Sequence, residues 1–301
     1  MLNTPYFREL ISVFPNGAAE LFSAVAEKID ADRSLRGIFG RAVKDYMGPR
    51  ALPMRKALER VEKTSPSLSV SPYTTDFIFV MKCTEILKNR YAEAGVEDSV
   101  FFASMDDLRC KLLECMECKG VPGTFVADWY DGFLKMRRFA YGRFQYEVAK
   151  SGFSFTSSCG KVIKESDPVV NFHIPSSGVP LSDSVRLASY REAWPHYRHL
   201  SDDGRIVFKC HSWLLYPEHR LFLPKGSNIL RFLDDFEIVS WVEKDSFDDA
   251  WRVFGRYADL PPGQLPRDTS LRRAFADRLA SGGKTGCGCG IIVFDGEKIV
   301  R

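Results

Sequence analysis

The chain lacks any run of 18 or more apolar residues, and its first residues, which include Arg8 and Glu9, contain no continuous apolar stretch. A transmembrane helix needs about 20 apolar residues and a signal peptide needs an apolar segment, so we expect a soluble cytoplasmic protein with no membrane partner. The net charge is also small, since the chain has 42 Lys and Arg against 39 Asp and Glu, and the two signs are interspersed. Without a concentrated basic face, the chain is not expected to bind nucleic acid.

The eight cysteines do not form a usual zinc-binding pattern. Cys115 and Cys118, together with Cys287 and Cys289, would supply the four thiolates of a zinc site. However, Cys115 ends an amphipathic helical pattern, and Cys289 alternates with glycines ahead of a predicted strand. Because neither pair has the flanking turn of a zinc knuckle, we expect reduced thiols and no metal.

The N-terminal part of the chain has the apolar spacing of helices. The composition, 45% hydrophobic and 13% aromatic in 301 residues, is that of an ordinary globular protein with one large or two ordinary domains. Apolar residues such as Phe22 and Val25 recur at helical spacing, which is typical of core packing. The turn at 120–123 ends this region. We predict a helical domain over 1–125 and a second domain over 126–301.

Beyond this turn the pattern changes to that of a mixed sheet with helices. Residues 137–148 alternate and are rich in β-prone aromatics, and Tyr141-Gly142 predicts a bend between two short strands. Either Ser227 or Asn228 is expected to cap a later helix. The fold class is therefore α/β (α+β). The remaining segments are predicted as strand, helix, strand, helix, strand and strand at 169–174, 182–194, 206–215, 228–236, 237–242 and 290–295.

A loop of small residues follows the strand at 169–174 and leads into a helix N-terminus. It contains Ser176, Ser177, Gly178 and Ser182. Unpaired backbone N–H groups and the helix dipole both favour an anion at such a place. The sequence therefore points to a phosphate-bearing ligand.

Four segments of the chain resemble, in the same order, a family of two-domain bacterial acyltransferases. That family joins a helical N-acyltransferase N-terminal domain to a GNAT-like C-terminal domain, and the resemblance covers nearly the whole chain. It implies an acyl-CoA co-substrate, acetyl-CoA or another acyl-CoA, and a small-molecule or peptide amine as acceptor. The segments are 142–147 (GRFQYE), 172–178 (FHIPSSG), 210–215 (CHSWLL) and 223–229 (LPKGSNI).

The resemblance also implies where CoA lies. In a GNAT fold the two central parallel strands splay, the pantetheine arm occupies the gap, and the pyrophosphate sits on the loop and helix after the first strand. These strands correspond to 169–174 and 206–215. The loop lacks the Gln/Arg-x-x-Gly-x-Gly/Ala pattern of many GNAT proteins. The residues implied as CoA contacts are Ile174, Ser176, Ser177, Gly178, Ser182 and Asn228.

Acyl transfer to an amine needs a base, and two histidines are candidates. Strand alternation puts Val170 and Phe172 on one face, and Asn171 and His173 on the other. His173 is the first candidate base because it ends the strand beside the loop, and the alternative is a structural histidine. His211, on the neighbouring strand, is either the base itself, a residue that orients His173, or part of the core.

The acid that protonates the departing thiolate has no assignment. In many GNAT enzymes it is a tyrosine on the helix after the second splayed strand, but no tyrosine occurs between Gly226 and Phe236, and Tyr216 is the nearest. Cys210 is disfavoured as a nucleophile activated by its neighbour, because adjacent residues on a strand point to opposite faces. Two hypotheses remain: an N-acyltransferase, or a catalytically inactive GNAT-shaped protein that binds CoA or a partner.

Overall fold

The computed structural model describes residues 1–49 and 52–301, which divide into two compact units, Met1–Phe139 and Ala140–Arg301. The boundary predicted at 125 lies within the first unit. The chain after the turn at 120–123 continues into the helical core, where Tyr130 and Phe133 are fully buried. In the described residues, no helix is both long enough and apolar enough to cross a bilayer.

The first unit is helical, as predicted. The apolar stripe of the helix Asn16–Ala31 is buried, with Phe22 and Val25 at most 1% exposed. Side chains cap the starts of three helices, because Thr4 accepts from the Phe7 N–H, Asp32 from the Ser34 and Leu35 N–H groups, and Ser71 from the Tyr73 N–H. The helices are α1 Pro5–Ile11, α2 Asn16–Ala31, α3 Arg33–Met47, α4 Met54–Glu62, α5 Ser65–Leu68, α6 Pro72–Glu93, α7 Asp98–Lys119 and α8 Asp131–Leu134, with a 3₁₀ turn at Ala127–Tyr130.

The second unit combines a mixed sheet with short helices. Its strands, of which the first begins before the unit boundary, are β1 Arg138–Tyr141, β2 Phe144–Lys150, β3 Phe155–Thr156, β4 Val162–Ile163, β5 Pro168–His173, β6 Ile206–Ser212, β7 Glu237–Lys244, β8 Thr285–Phe294 and β9 Ile299–Val300. Its helices are α9 Asp183–Tyr197, α10 His219–Phe222, α11 Asn228–Asp234, α12 Ala250–Phe254 and α13 Ser270–Ala280, with further 3₁₀ turns at Arg198–Leu200, Trp213–Leu215, Gly255–Tyr257 and Pro262–Gln264.

Two predicted strands have different ends in the structure. The strand predicted at 206–215 stops at Ser212, because the Ser212 hydroxyl accepts from the Leu214 N–H and starts a 3₁₀ turn. The strand predicted at 290–295 begins earlier, at Thr285. Its glycines pack closely against neighbouring backbone, since a Cβ on Gly288 would lie 2.1 Å from the Leu215 carbonyl oxygen. Glycine is therefore part of a strand here, where the sequence pattern suggested a break.

The main sheet has the strand order β1-β2-β5-β6-β8-β7, with β9 paired to β8. The pairs β2–β5, β6–β8, β7–β8 and β8–β9 are antiparallel, and β5–β6 is parallel. One face carries an aromatic core in which Phe172 and Phe208 contact Tyr190 of α9. On the opposite face, the small β3–β4 hairpin covers an apolar cluster that includes Val169 and Ile291. The α9 and α11 helices thus pack on one face and leave the other for the hairpin and for polar side chains.

The N-cap of α11 is Ser227, whose Oγ accepts from the Leu230 N–H at 3.3 Å. Asn228 instead accepts from Arg231 Nη2 through its Oδ1, at 2.6 Å. We expect Ser227→Ala to lower the free energy of unfolding by about 1 kcal/mol, because it removes the cap. Asn228→Ala should change it by less than about 0.5 kcal/mol. Urea denaturation measures both, and a larger loss for Asn228→Ala would contradict the cap assignment.

Candidate active site

The two parallel strands of the sheet, β5 and β6, are paired over a short ladder. Their ladder joins Val170 to Phe208 and Asn171 to Lys209, and β5 then continues to His173 while β6 continues to Ser212. By contrast, β6 pairs with β8 over seven positions, as far as Ser212. The β5–β6 ladder thus ends at Asn171 and Lys209, whereas the β6–β8 ladder continues to Ser212. The splay of the strands 169–174 and 206–215 stays a prediction from the resemblance.

His173 lies at this end of β5 and contacts a carboxylate. Its Nε2 is 2.8 Å from Glu147 Oε1 and 3.1 Å from Asn171 Nδ2. Glu147 lies on β2 directly opposite Asn171, so all three side chains share one face of the sheet. The side chains of His173 and Glu147 are 23% and 22% exposed. If the neutral ring carries its proton on Nε2 and donates it to Glu147, the Asn171 amide must present its oxygen, and not its Nδ2, to the ring. The lone pair of the ring is then on Nδ1.

Glu147 was not among the candidates from the sequence. Its position became evident from the β2–β5 register, which pairs Glu147 with Asn171 and Gln145 with His173. The alternation of β2 alone predicts the face of Glu147 but not the residue that it meets. No local pattern gives this register, because β2 and β5 are connected by the segment 151–167, which contains β3 and β4.

His211 is placed differently. It lies on β6 opposite Cys289 of β8, and its side chain is exposed. Its neighbour Cys210 is buried, and burial raises the pKa of the Cys210 thiol well above its usual value. A thiol with a raised pKa is a poor nucleophile at neutral pH, in agreement with the interpretation of Cys210 as a core residue. His211 nevertheless lies on the same face of the sheet as His173, because the β5–β6 register pairs Asn171 with Lys209 and side chains alternate along each strand.

The loop that follows β5 holds four of the candidate CoA contacts. Ser176 and Gly178 are exposed, and Gly178 has φ +80°, a left-handed conformation that favours glycine. The Ser177 hydroxyl accepts from the Val179 N–H at 3.3 Å. Ser182 is the N-cap of α9 but makes no side-chain cap hydrogen bond. The first N–H groups of α9 are therefore not capped by the Ser182 side chain. Ile174, the fifth candidate near this end of β5, is half-buried.

A buried arginine fixes the start of α9. The Arg186 side chain is 3% exposed and forms a bidentate pair with Asp235, with Nε–Oδ2 at 2.6 Å and Nη2–Oδ1 at 3.0 Å. It also donates to the Leu181 carbonyl oxygen at 2.5 Å and to the Arg231 carbonyl oxygen at 3.1 Å. Arg186 thus connects the loop before α9 to the end of α11. In the sequence it appears as an ordinary surface charge, and no pattern identified it.

The remaining candidates have structural contacts. Tyr216 is buried and donates to Glu243 Oε2 at 3.1 Å, and burial together with this carboxylate raises the pKa of Tyr216 to about 12. Asn228 accepts from Arg231, as described above. The eight cysteines are free thiols. Within residues 1–49 and 52–301, no three His, Cys, Asp or Glu side chains are grouped so that they would hold a metal ion.

Two protein families match the chain in tandem. Residues 3–136 match the N-acyltransferase N-terminal domain, and residues 139–292 match the GNAT-like C-terminal domain. No match was found among curated proteins. The two matched ranges meet close to the boundary between the compact units, after Phe139.

Solved acyltransferase structures have the same fold. One, a complex with decanoyl-CoA and teicoplanin, has a TM-score of 0.73 at 20% identity, covering 95% of this chain and 85% of its own. A second, with decanoyl-CoA, has a TM-score of 0.72 at 19% identity, covering 94% and 85%. A mutant acyltransferase in complex with octanoyl-CoA has a TM-score of 0.73 at 19% identity, covering 95% and 86%. At these identities the similarity establishes the fold.

Proposed function

The chain belongs to the family of two-domain N-acyltransferases with a GNAT-like C-terminal domain, and on this premise we propose that it moves an acyl group from acyl-CoA to an amine by direct attack. The observation that carries the proposal is the end of β5. There the ladder between the parallel strands ends, an imidazole is paired with a carboxylate, and a loop of small residues leads into a helix N-terminus. Acyl-CoA is the co-substrate.

In the proposed complex the pantetheine arm enters between the ends of β5 and β6, beside Ile174. The pyrophosphate lies on the loop at Ser176, Ser177, Gly178 and Ser182. Backbone N–H groups of this loop and of the first turn of α9 suit an anion because they carry partial positive charge. Asn228 would contact the ligand from the start of α11 if Arg231 releases its side chain.

The proposed base is His173. The acceptor nitrogen attacks the thioester carbonyl carbon, and a proton passes from that nitrogen to the imidazole. The tetrahedral intermediate then collapses, the carbon–sulfur bond breaks, and CoA leaves as a thiolate that takes up a proton. Glu147 positions the ring and stabilises the imidazolium that forms. His211 is the second candidate for the base.

The acceptor is proposed to be a small-molecule or peptide amine. One of the similar structures contains teicoplanin beside decanoyl-CoA, which supports an acceptor of that size and an acyl group longer than acetyl. The second hypothesis, a GNAT-shaped protein that binds CoA without turnover, is favoured by the absent Gln/Arg-x-x-Gly-x-Gly/Ala pattern. Turnover separates the two hypotheses.

Acyl-CoA is expected to stabilise the protein. At about 100 times its dissociation constant, a ligand that binds the native state adds about 2.7 kcal/mol to the free energy of unfolding. Thermal shift and calorimetric titration with CoA and with acetyl- to decanoyl-CoA measure this effect, and release of free thiol in the presence of an amine panel measures turnover. Absence of any interaction at millimolar concentration would exclude the proposal, and binding without thiol release would favour the inactive alternative.

A further inference from the structure

Arg143 occupies the tight turn between β1 and β2, and this turn is fastened to α9. Gly142 has φ +59°, and a Cβ there would lie 3.0 Å from Ser189 Cα, so the turn approaches the helix closely. The Ser189 hydroxyl donates to the Tyr141 carbonyl oxygen at 2.5 Å and accepts from the Phe144 N–H at 3.2 Å. Both sides of the turn are thus held by one buried serine, which fixes the backbone of Arg143.

From this turn the Arg143 side chain reaches the loop at 175–182. It is 9% exposed, and it donates from Nε to the Val179 carbonyl oxygen at 2.9 Å and from Nη1 to the Pro175 carbonyl oxygen at 2.8 Å. The loop residues between these two carbonyls are largely exposed. A single guanidinium therefore connects both ends of an otherwise exposed segment.

The hydrogen bonds to the loop carbonyls also determine where the neighbouring backbone N–H groups point. In a trans peptide the carbonyl of one residue and the N–H of the next point in opposite directions. When Arg143 holds the Pro175 carbonyl, the N–H of Ser176 is directed away from the guanidinium. Arg186 acts likewise at the other end, because it holds the Leu181 carbonyl and so directs the Ser182 N–H away from its own guanidinium. At the third carbonyl, Val179, the next residue is Pro180, which has no N–H.

We propose that Arg143 is a positioning residue for the pyrophosphate of CoA. In the Gln/Arg-x-x-Gly-x-Gly/Ala pattern, glycines determine the conformation of the loop backbone, and this loop lacks that pattern. Arg143 instead holds the loop backbone by hydrogen bonds from its side chain. It acts by directing the Ser176 N–H, while Arg186 directs the Ser182 N–H, towards one anion. This inference rests on the proposed function, because it assumes that CoA is the co-substrate.

The test compares an acyl-CoA with the matching S-acyl pantetheine, which has the same thioester and no pyrophosphate. Arg143→Met should raise KM for acyl-CoA by about 10- to 100-fold, since hydrogen bonds from a charged group are lost. KM and kcat for S-acyl pantetheine should stay at wild-type values. Arg191→Met is the matched control, because Arg191 donates to the Glu297 carbonyl oxygen at 3.1 Å, outside the loop. It should leave both substrates unchanged.

A second variant distinguishes the effect of the positive charge from that of the hydrogen-bond geometry. It also replaces Arg143→Met as the test if that variant does not fold. Arg143→Lys keeps the positive charge but cannot donate to two carbonyls in the fixed geometry of a guanidinium. It should also raise KM for acyl-CoA, and wild-type KM in this variant would overturn the proposal. Equal increases in KM for both substrates would also overturn it. A wild-type protein that neither binds CoA nor uses either thioester contradicts the proposed function instead.

Discussion

His173→Gln is expected to lower turnover by about 10²- to 10⁴-fold while the fold and the affinity for CoA stay the same. The substitution removes the titrating imidazole, and glutamine still offers a polar group to Glu147. The acidic limb of the pH–rate profile should disappear with the ring, because that limb reports protonation of the base. Steady-state kinetics between pH 5 and 9, with thermal unfolding as a check on folding, would measure this.

The histidine at position 199 provides a matched control. It is exposed on the 3₁₀ turn Arg198–Leu200, and His199→Gln should leave turnover at the wild-type value. If His173→Gln keeps both its turnover and its acidic limb, His173 is structural. His211→Gln would then test the other candidate. Glu147→Gln tests the role of the Glu147 carboxylate beside the His173 ring, since it keeps the side-chain size and removes the charge that stabilises the imidazolium.

Asp235→Asn is expected to lower the free energy of unfolding by about 3–5 kcal/mol. The Asp235 side chain is 15% exposed and forms the bidentate pair with Arg186. Without this carboxylate charge, the buried guanidinium of Arg186 keeps only the exposed Asp183 as an ionic partner, and this loss costs more than the pair contributed. Asparagine has nearly the same size as aspartate, so the effect of an empty space is avoided. Urea denaturation followed by circular dichroism measures the loss.

The same arginine supplies the control for this measurement. Asp183 also contacts Arg186, with Oδ1 3.1 Å from Nη1, but its side chain is 68% exposed. An exposed pair contributes about 0–1 kcal/mol, so Asp183→Asn should have a small effect. Similar losses for the two variants would show that burial does not determine the energy of this network.

The sequence was sufficient for the parts of the fold that follow a regular pattern. The helical stripe at Phe22 and Val25 was predicted, and so was the strand at 169–174, which is Pro168–His173 in the structure, because apolar spacing reflects burial directly. The extension of β8 to Thr285 was missed, since alternating glycines usually weaken a strand. There, the small residues let the Leu215 carbonyl pack against the strand, which only the tertiary structure reveals.

The contacts of the candidate site were less predictable than its position. Loop 175–182 followed from composition, but the residues that shape it are distant in sequence. Arg143 is 36 positions before Val179, whose carbonyl it binds, and Arg186 is 49 positions before Asp235. Charged residues in a single sequence look alike whether they are solvated or buried. Their partners are determined by strand register and helix packing, which no local pattern encodes.

The short β5–β6 ladder makes the central sheet an assembly of two antiparallel halves. One half contains β1, β2 and β5, the other contains β6, β7, β8 and β9, and the seam between them has two residue pairs. Across the seam, cohesion comes mainly from side chains such as Phe172 and Phe208, whose ring centroids are 6.3 Å apart. A rotation of one half against the other therefore strains few backbone hydrogen bonds. We expect any relative motion of the two halves to occur at this seam, because the ladders on either side of it are longer: β2 pairs with β5 at six positions and β6 with β8 at seven.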